Sequence, residues 1–146
     1  MRLTAILLTV LCLALMPFSV SAEKGKKEEK KLTPATVKNM GVTKDGDVEL
    51  FCMDFSNPRV PDLQTIDDEA NPRVFFDIPA IAEWKGQSTY EIKGSLIKQV
   101  RTGYNGKDKK LRVVIDLAPV YNYNVEPSFD DRYNLFCVAF SARSVR

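Results

Sequence analysis

The chain contains no histidine, and this absence removes several classes of enzyme. Histidine is the usual general base near neutral pH, the partner of serine and cysteine nucleophiles, and a common zinc ligand. No phosphate-cradling glycine loop or dinucleotide fingerprint is present either. Adjacent carboxylates occur at 67–69 and 130–131, but both groups fall in predicted turns, where aspartates cap the backbone. The sequence therefore predicts a protein that is not an enzyme and holds no metal and no cofactor.

An excess of charge of one sign is also missing. Lys and Arg number 21 against 19 Asp and Glu, a net charge of +2. Proteins that bind nucleic acid usually carry a concentrated basic surface, which neutralises phosphates. We therefore expect no nucleic-acid partner.

Long apolar runs are absent except at the start of the chain. Arg2 precedes an apolar stretch over 5–16, and the small residues Ser21 and Ala22 follow. This layout is typical of a secretory signal peptide over 1–22, with cleavage after Ala22. The stretch is too short for a spanning helix of about 20 residues, and Cys12 lies inside it without the small neighbour of a lipoprotein cut. We expect a secreted product with no membrane span.

The segment after the predicted cleavage site is polar. Residues 23–31 read EKGKKEEKK and contain no apolar position, so they cannot bury a face. We predict a charged flexible linker over 23–45, a single domain over 46–142 and a short tail over 143–146.

The predicted domain is rich in short alternating apolar runs separated by Gly, Asn, Asp and Pro, a pattern typical of antiparallel strands. Eight strands of this length need two packed sheets or a closed barrel, because a single sheet would leave one apolar face in water. The predicted strands are Val48–Ser56, Val60–Asp67, Arg73–Ile81, Thr89–Gly94, Ser95–Tyr104, Leu111–Ala118, Tyr121–Phe129 and Tyr133–Ser141.

One phrase occurs twice, as RVFFDIP from Arg73 and as RVVIDLAP from Arg112. Because side chains alternate along a strand, each copy places an Arg and an Asp on one outward face and only apolar residues on the other. The outward residues are Arg73, Asp77, Arg112 and Asp116; the inward ones are Val74, Phe76, Ile78, Val113, Ile115 and Leu117.

A second phrase, Leu-Phe-Cys followed by Phe-Ser three positions later, also occurs twice, at 50–56 and 135–141. Two related half-domains would explain both repeats. We therefore predict an all-β fold, a β-sandwich of two similar, pseudo-symmetric four-stranded sheets that face each other.

Cys52 and Cys137 are the cysteines that remain after signal cleavage. If the two residues lie opposite each other, a disulfide would close a long loop and stabilise the fold by about 4 to 5 kcal/mol. If the pseudo-symmetry places them in opposite sheets, they are two small buried thiols. The symmetry argument makes us expect the thiols, with the disulfide as the alternative.

The repeated strand and its neighbours resemble the AMIN domain, a non-catalytic module of secreted cell-wall amidases and of type IV pilus secretins. The motifs that carry the resemblance are NPRVFFDIPAI, then IKQVRTG over 97–103, then RVVIDL over 112–117, followed by aromatic residues before a closing strand. The resemblance covers about 48–141. It implies a sandwich of two similar sheets, location in the periplasm, binding to peptidoglycan, and placement of a partner such as an amidase or a secretin-type complex.

Peptidoglycan offers sugar hydroxyls, amides and peptide carboxylates. Arg forks bind carboxylates, Asp accepts from hydroxyl and amide donors, and an aromatic ring covers a sugar face. The predicted binding residues are therefore Arg73, Asp77, Gln99, Arg101, Tyr104, Arg112 and Asp116. Cross-strand salt bridges would explain the same Arg and Asp residues without a ligand. A second function also stays open, an adaptor that docks onto an envelope complex through a strand edge or the Arg/Asp face.

Overall fold

The computed structural model describes residues 32–143. The predicted signal peptide, the EKGKKEEKK segment and 144–146 lie outside this range. Between residues 32 and 143 there are only strands, and so no helix that could cross a membrane. The strands are β1 (Val37–Asp45), β2 (Val48–Phe55), β3 (Gln64–Ile66), β4 (Arg73–Ile78), β5 (Thr89–Glu91), β6 (Ile97–Asn105), β7 (Lys110–Leu117), β8 (Tyr123–Asp130) and β9 (Leu135–Ala142).

The strands form two antiparallel sheets, so the all-β prediction is confirmed. Sheet A has four strands in the order β1-β2-β9-β8, and sheet B has five in the order β3-β4-β7-β6-β5. Buried side chains alternate along the central strands, as the period of two predicts. Phe76 of sheet B packs between Phe51 and Phe136 of sheet A, with ring centroids 6.1 and 5.5 Å away. The arrangement is sandwich-like, with one core between the sheets.

The repeated strands pair with each other, which differs from the arrangement that we expected. The two copies of the Arg-to-Asp phrase lie in β4 and β7, which are antiparallel neighbours in sheet B. The two Leu-Phe-Cys copies lie in β2 and β9, neighbours in sheet A. Each sheet therefore contains both copies of one phrase, whereas facing half-domains would place one copy in each sheet.

Cys52 and Cys137 form a disulfide, so the expectation of two buried thiols in opposite sheets is wrong. The two residues are directly opposite in the β2–β9 pair, with a Cα–Cα distance of 4.1 Å. Cys52 lies between the inward residues Phe51 and Met53 of β2, and Cys137 lies between the inward residues Phe136 and Val138 of β9. Both cysteines therefore point to the outer face of sheet A. The repeat placed the cysteines side by side because its two copies pair in register.

Strand β1 occupies the second half of the predicted linker, so the flexible segment does not extend to residue 45. The strand lies at the edge of sheet A, and only Val37, Met40 and Val42 pack against the core. An edge strand with so few apolar residues gives a weak periodic signal. The stronger signal was the turn after it. Gly46 has φ of 59° at the first central position of a two-residue hairpin, where a type II′ turn requires glycine.

Sheet B has five strands rather than the predicted four, and its edge strand β5 covers only Thr89–Glu91 of the predicted Thr89–Gly94. At the opposite edge, β3 starts at Gln64 rather than at Val60. Pro61 precedes it, and proline cannot donate to a strand ladder.

Glu49 is a buried carboxylate on the inner face of β2, with 1% of its surface exposed. It accepts hydrogen bonds from the Ser95 N–H (2.7 Å) and hydroxyl (2.9 Å), and from the N–H groups of Leu96 (3.2 Å) and Ile97 (2.7 Å). Burial opposes ionisation, but the four hydrogen bonds outweigh it and hold the pKa of the carboxyl below its usual value. Glu49 thereby ties sheet A to the start of β6 in sheet B.

Arg59 is a buried cation, 4% exposed, that binds only backbone carbonyls. It donates to the oxygens of Thr33, Pro58 (2.7 Å), Pro79 (2.9 Å) and Ala80 (3.1 Å). Burial lowers the pKa of the guanidinium. The side chain joins the segment before β1 to the segment after β4.

Candidate functional site

The outer face of sheet B carries the predicted Arg and Asp residues. The register of β4 and β7 sets Arg73 opposite Asp116 and Asp77 opposite Arg112. The repeat therefore brings its own charges together, because an antiparallel pair of Arg-to-Asp phrases matches each Arg with the Asp of the other strand.

The Asp77–Arg112 pair has the expected partners. Arg112 Nε lies 2.7 Å from Asp77 Oδ1, and Nη2 lies 2.8 Å from Oδ2, so the bond is bidentate. The Arg112 guanidinium also stands 5.5 Å from the centroid of the Phe75 ring. These hydrogen bonds outweigh partial burial and hold the pKa of Asp77 below its usual value.

Asp116 has different partners from those that the strand pairing suggests. Arg101 of β6 donates to both carboxylate oxygens, at 2.6 and 2.7 Å, and Gln99 Nε2 donates at 2.8 Å. The hydrogen bonds to Asp116 raise the pKa of Arg101 despite its partial burial. Arg73, although opposite Asp116, makes no salt bridge within residues 32–143.

Tyr104 does not lie on this face, so its predicted place beside the Arg and Asp residues is wrong. It is opposite Leu111, a core residue, and its ring packs against the core. Its hydroxyl donates to the carbonyls of Ile81 (2.9 Å) and Ala82 (3.0 Å). Because side chains alternate along β6, Gln99, Arg101 and Gly103 lie on the outer face, and Tyr104 points inward.

The structure thus brings six of the seven predicted residues onto one face. Five of these six are hydrogen-bonded to one another, and the exception is Arg73. Both carboxylates already hold an Arg fork, and each Arg uses its Nε and Nη2, one of the two edges through which a guanidinium binds a carboxylate. These contacts are cross-strand salt bridges, which stabilise a sheet by roughly 0.2 to 1 kcal/mol each. Arg73 is the cation of the set that keeps its hydrogen-bond capacity.

A groove next to the Arg73 end of this face is better suited to a ligand. It has a volume of about 610 Å³ and lies between the β3–β4 connection and the segment that joins β7 to β8. We call it the acidic groove. Its lining residues are Asp67, Asp68, Glu69, Pro72, Pro119, Val120, Tyr121, Asn122, Tyr123 and Arg143.

Two tyrosines, Tyr121 and Tyr123, form the aromatic part of the acidic groove. The Tyr123 hydroxyl donates to Ala118 O at 2.6 Å, and burial raises its pKa to about 12. Tyr121 packs edge-on against Tyr123, with ring centroids 6.2 Å apart, and is 42% exposed. Tyr123 therefore supports the wall, and Tyr121 presents its ring to solvent.

The lining of the acidic groove also includes three carboxylates. Asp68 Oδ1 accepts the N–H of Ala70 at 3.0 Å, so this side chain shapes the turn. Asp67 and Glu69 are exposed and have no salt bridge within the described part of the chain. Arg143 borders the groove with its guanidinium held by Asn124 Oδ1 (3.1 Å) and Tyr123 O (3.0 Å). The groove can accept hydroxyl, amide and ammonium donors beside an aromatic surface.

None of these groove residues was among the predicted binding residues. The acidic run was predicted to cap a turn, and Tyr121 was predicted to begin a strand. The available signal was Pro119-Val120 before Tyr121, because a proline and an exposed valine interrupt the strand pattern. The groove forms where the β3–β4 and β7–β8 connections, about 50 residues apart in sequence, lie close together. No local sequence pattern predicts that these two connections meet.

No protein-family model matches the chain, and no curated protein matches it. The resemblance to the AMIN domain stays a prediction.

Proposed function

We propose that this chain is a non-catalytic module, secreted to the periplasm, that binds peptidoglycan and so localises or anchors a partner such as an amidase or a secretin-type complex. The observation that carries the proposal is the acidic groove, a recess of about 610 Å³ whose lining includes an exposed tyrosine and three carboxylates. Ligand sites are concave and use aromatic side chains together with a few placed polar groups that orient the ligand.

Peptidoglycan matches the groove chemically. Its sugar rings have apolar faces that pack on an aromatic ring such as Tyr121. Its hydroxyl and amide groups donate to carboxylates, and free amino groups of its peptides are cations that Asp67 and Glu69 attract. Arg73, next to Pro72 of the groove lining, adds a donor for peptide carboxylates.

We also infer that the fold consists of two related halves, β1–β4 and β6–β9, with β5 as an added edge strand. The pairings β2–β9 and β4–β7 each join one strand from each half. Removal of β5 would leave four strands in each sheet, which fits the sandwich that the AMIN resemblance implies.

The test is sedimentation of the purified protein with peptidoglycan sacculi at moderate salt. The wild type should sediment. Tyr121→Ala should weaken the affinity measured by sedimentation about fivefold, because one aromatic contact is worth about 1 kcal/mol. Asp67→Asn should weaken it as well. Tyr133→Ala is the matched control, because Tyr133 is 65% exposed but lies at the opposite end of the β8–β9 hairpin.

The outcome separates the two functions. If the wild type stays in the supernatant, wall binding is wrong and the adaptor function takes its place. Equal loss in Tyr121→Ala and Tyr133→Ala would move the binding site away from the acidic groove.

A further inference from the structure

A second recess lies on another side of the molecule and shares no lining residue with the acidic groove. Two grooves, of about 340 and 250 Å³, run along β1, the edge strand of sheet A. Their far walls come from β5, the edge strand of sheet B, and from the residues that flank it. We call the two grooves together the edge slot. Its partly buried apolar residues are Val37, Met40, Val42, Trp84, Tyr90 and Ile92.

Strand β1 lines this slot and has backbone groups that find no partner among residues 32–143. A Cα–Cα distance of 4.1 Å marks Cys52 and Cys137 as a non-hydrogen-bonded pair, so the backbone groups of Cys52 point toward β1 and bond Gly41. By alternation, the N–H and C=O groups of Met40, Val42 and Lys44 point away from β2. The same three side chains lie on the inner side of the sheet, because their partners in β2 are inward residues.

The edge slot carries a net positive charge. Lys38, Lys44 and Lys93 line it and have no salt bridge within residues 32–143. Glu83, a carboxylate of the slot, pairs with Lys85 at 3.1 Å. Glu49, the other, is consumed by the four donors of the Ser95–Ile97 segment. The slot therefore carries four lysines against two carboxylates, and both carboxylates already have partners, although Glu49 lies opposite Lys44 in the ladder.

We propose that the edge slot binds an extended acidic peptide segment of a partner protein, which adds to sheet A as a strand antiparallel to β1. Main-chain hydrogen bonds to Met40, Val42 and Lys44 hold the peptide. Residues opposite these three share the inner side, so the peptide carries a Glu or Asp opposite Lys44 and apolar residues two and four positions later. This surface goes beyond wall binding and does not depend on it.

A second copy of this chain is a poorer occupant. Antiparallel pairing of two β1 strands about Val42 sets Lys44 of each copy opposite Met40 of the other. An inward-pointing charge on an edge strand opposes such self-pairing, because Lys44 would be buried between the two copies without a carboxylate partner. The same lysine selects a strand that brings a carboxylate.

The probe is a blocked peptide of sequence Thr-Glu-Thr-Val-Thr-Val-Thr, with a second peptide that has Lys in place of Glu. Trp84 is the chain's only tryptophan and lines the slot, so its fluorescence reports binding. The Glu peptide should bind with a Kd about tenfold below that of the Lys peptide, because one partly buried charge pair forms. Lys44→Glu should reverse the preference of the protein for the two peptides.

A proline tests the strand addition itself. Val42→Pro removes one outward N–H and leaves the β1–β2 ladder intact, so binding should be lost. Val42→Ala keeps that N–H and should retain binding. Equal affinity for both peptides, an unchanged preference in Lys44→Glu, or equal binding by Val42→Pro and Val42→Ala would overturn the proposal. A concentration-dependent dimer that the Glu peptide does not dissociate would assign the slot to a second copy and overturn it too.

Discussion

Among single residues, Glu49 is the one whose charge most directly joins the two sheets. Its pKa in the folded chain is lowered, so its contribution to stability is present above the ordinary value of 4.5 and is lost as the pH falls through the lower folded value. The four donors that surround it have no other acceptor in place, and burial makes their loss costly.

Glu49→Gln should therefore lower the free energy of unfolding at pH 7 by about 2 to 3 kcal/mol, because an amide presents its own N–H groups to these donors. The variant should also lose less stability than the wild type on acidification below pH 4.5. Urea unfolding at several pH values measures both effects. Glu126→Gln, on the exposed edge strand β8, is the control. A wild-type acid dependence in Glu49→Gln would show that another carboxylate carries it.

The feature that the sequence predicted best was the face of the sheet on which each side chain lies. All six apolar residues of the repeated phrase point to the core, since alternation requires no knowledge of the partner strand. The hydrogen-bond partners of the polar residues were harder to predict from the sequence. Asp116 pairs with Arg101 and Gln99 rather than Arg73, a choice that depends on side-chain reach across two neighbouring strands. Glu49 looked like an ordinary polar residue because its donors lie more than 40 positions away.

At the scale of elements, the disulfide fixes the pairing of β2 with β9. It closes a loop with a sequence separation of 85, for which the chain-entropy model gives about 4 to 5 kcal/mol. Reduction should lower the denaturant midpoint by the equivalent of this free energy. The double variant Cys52→Ala with Cys137→Ala should match the reduced wild type. An unchanged midpoint after verified reduction would contradict the pairing.

The Arg and Asp residues of sheet B are likewise interactions between elements. Arg112→Ala should lower the free energy of unfolding only slightly, because the pair is partly solvated. The side chains of Arg112 and Asp77 are 56% and 27% exposed, against 42% and 19% for Arg101 and Asp116. Arg101→Ala should therefore cost more than Arg112→Ala in the same unfolding assay. The reverse order would mean that solvation does not set the strength of these pairs.

Most strands could be located from the sequence, but their neighbours could not. The repeated phrases indicated relatedness, and relatedness alone permits pairing within a sheet or placement in facing sheets. Strand β1 was missed because an edge strand with one inward face and a central Gly41 has little apolar periodicity. The acidic groove arises from two connections, and connections carry no periodic signal to predict their approach.

For the whole molecule, the two recesses give separate surfaces to one small fold. The acidic groove is formed by the β3–β4 and β7–β8 connections, and the edge slot by β1 and β5. Sheet A with its disulfide and sheet B with its salt bridges provide the rigid body between them. The anchor that we propose would bind two different ligands at once through these two surfaces.

The bond between Cys52 and Cys137 also determines how the molecule responds to tension between its ends. Every strand of sheet B lies in sequence between the two cysteines. A pulling force applied at the termini therefore passes from β2 to β9 through the sulfur atoms, and it does not extend the intervening chain. In a single-molecule pulling experiment, reduction should lengthen the fully extended protein by roughly 300 Å, from a separation of 85 residues. Asp67 and Tyr121 lie inside that protected loop, so an anchored protein would keep its groove in shape under mechanical stress.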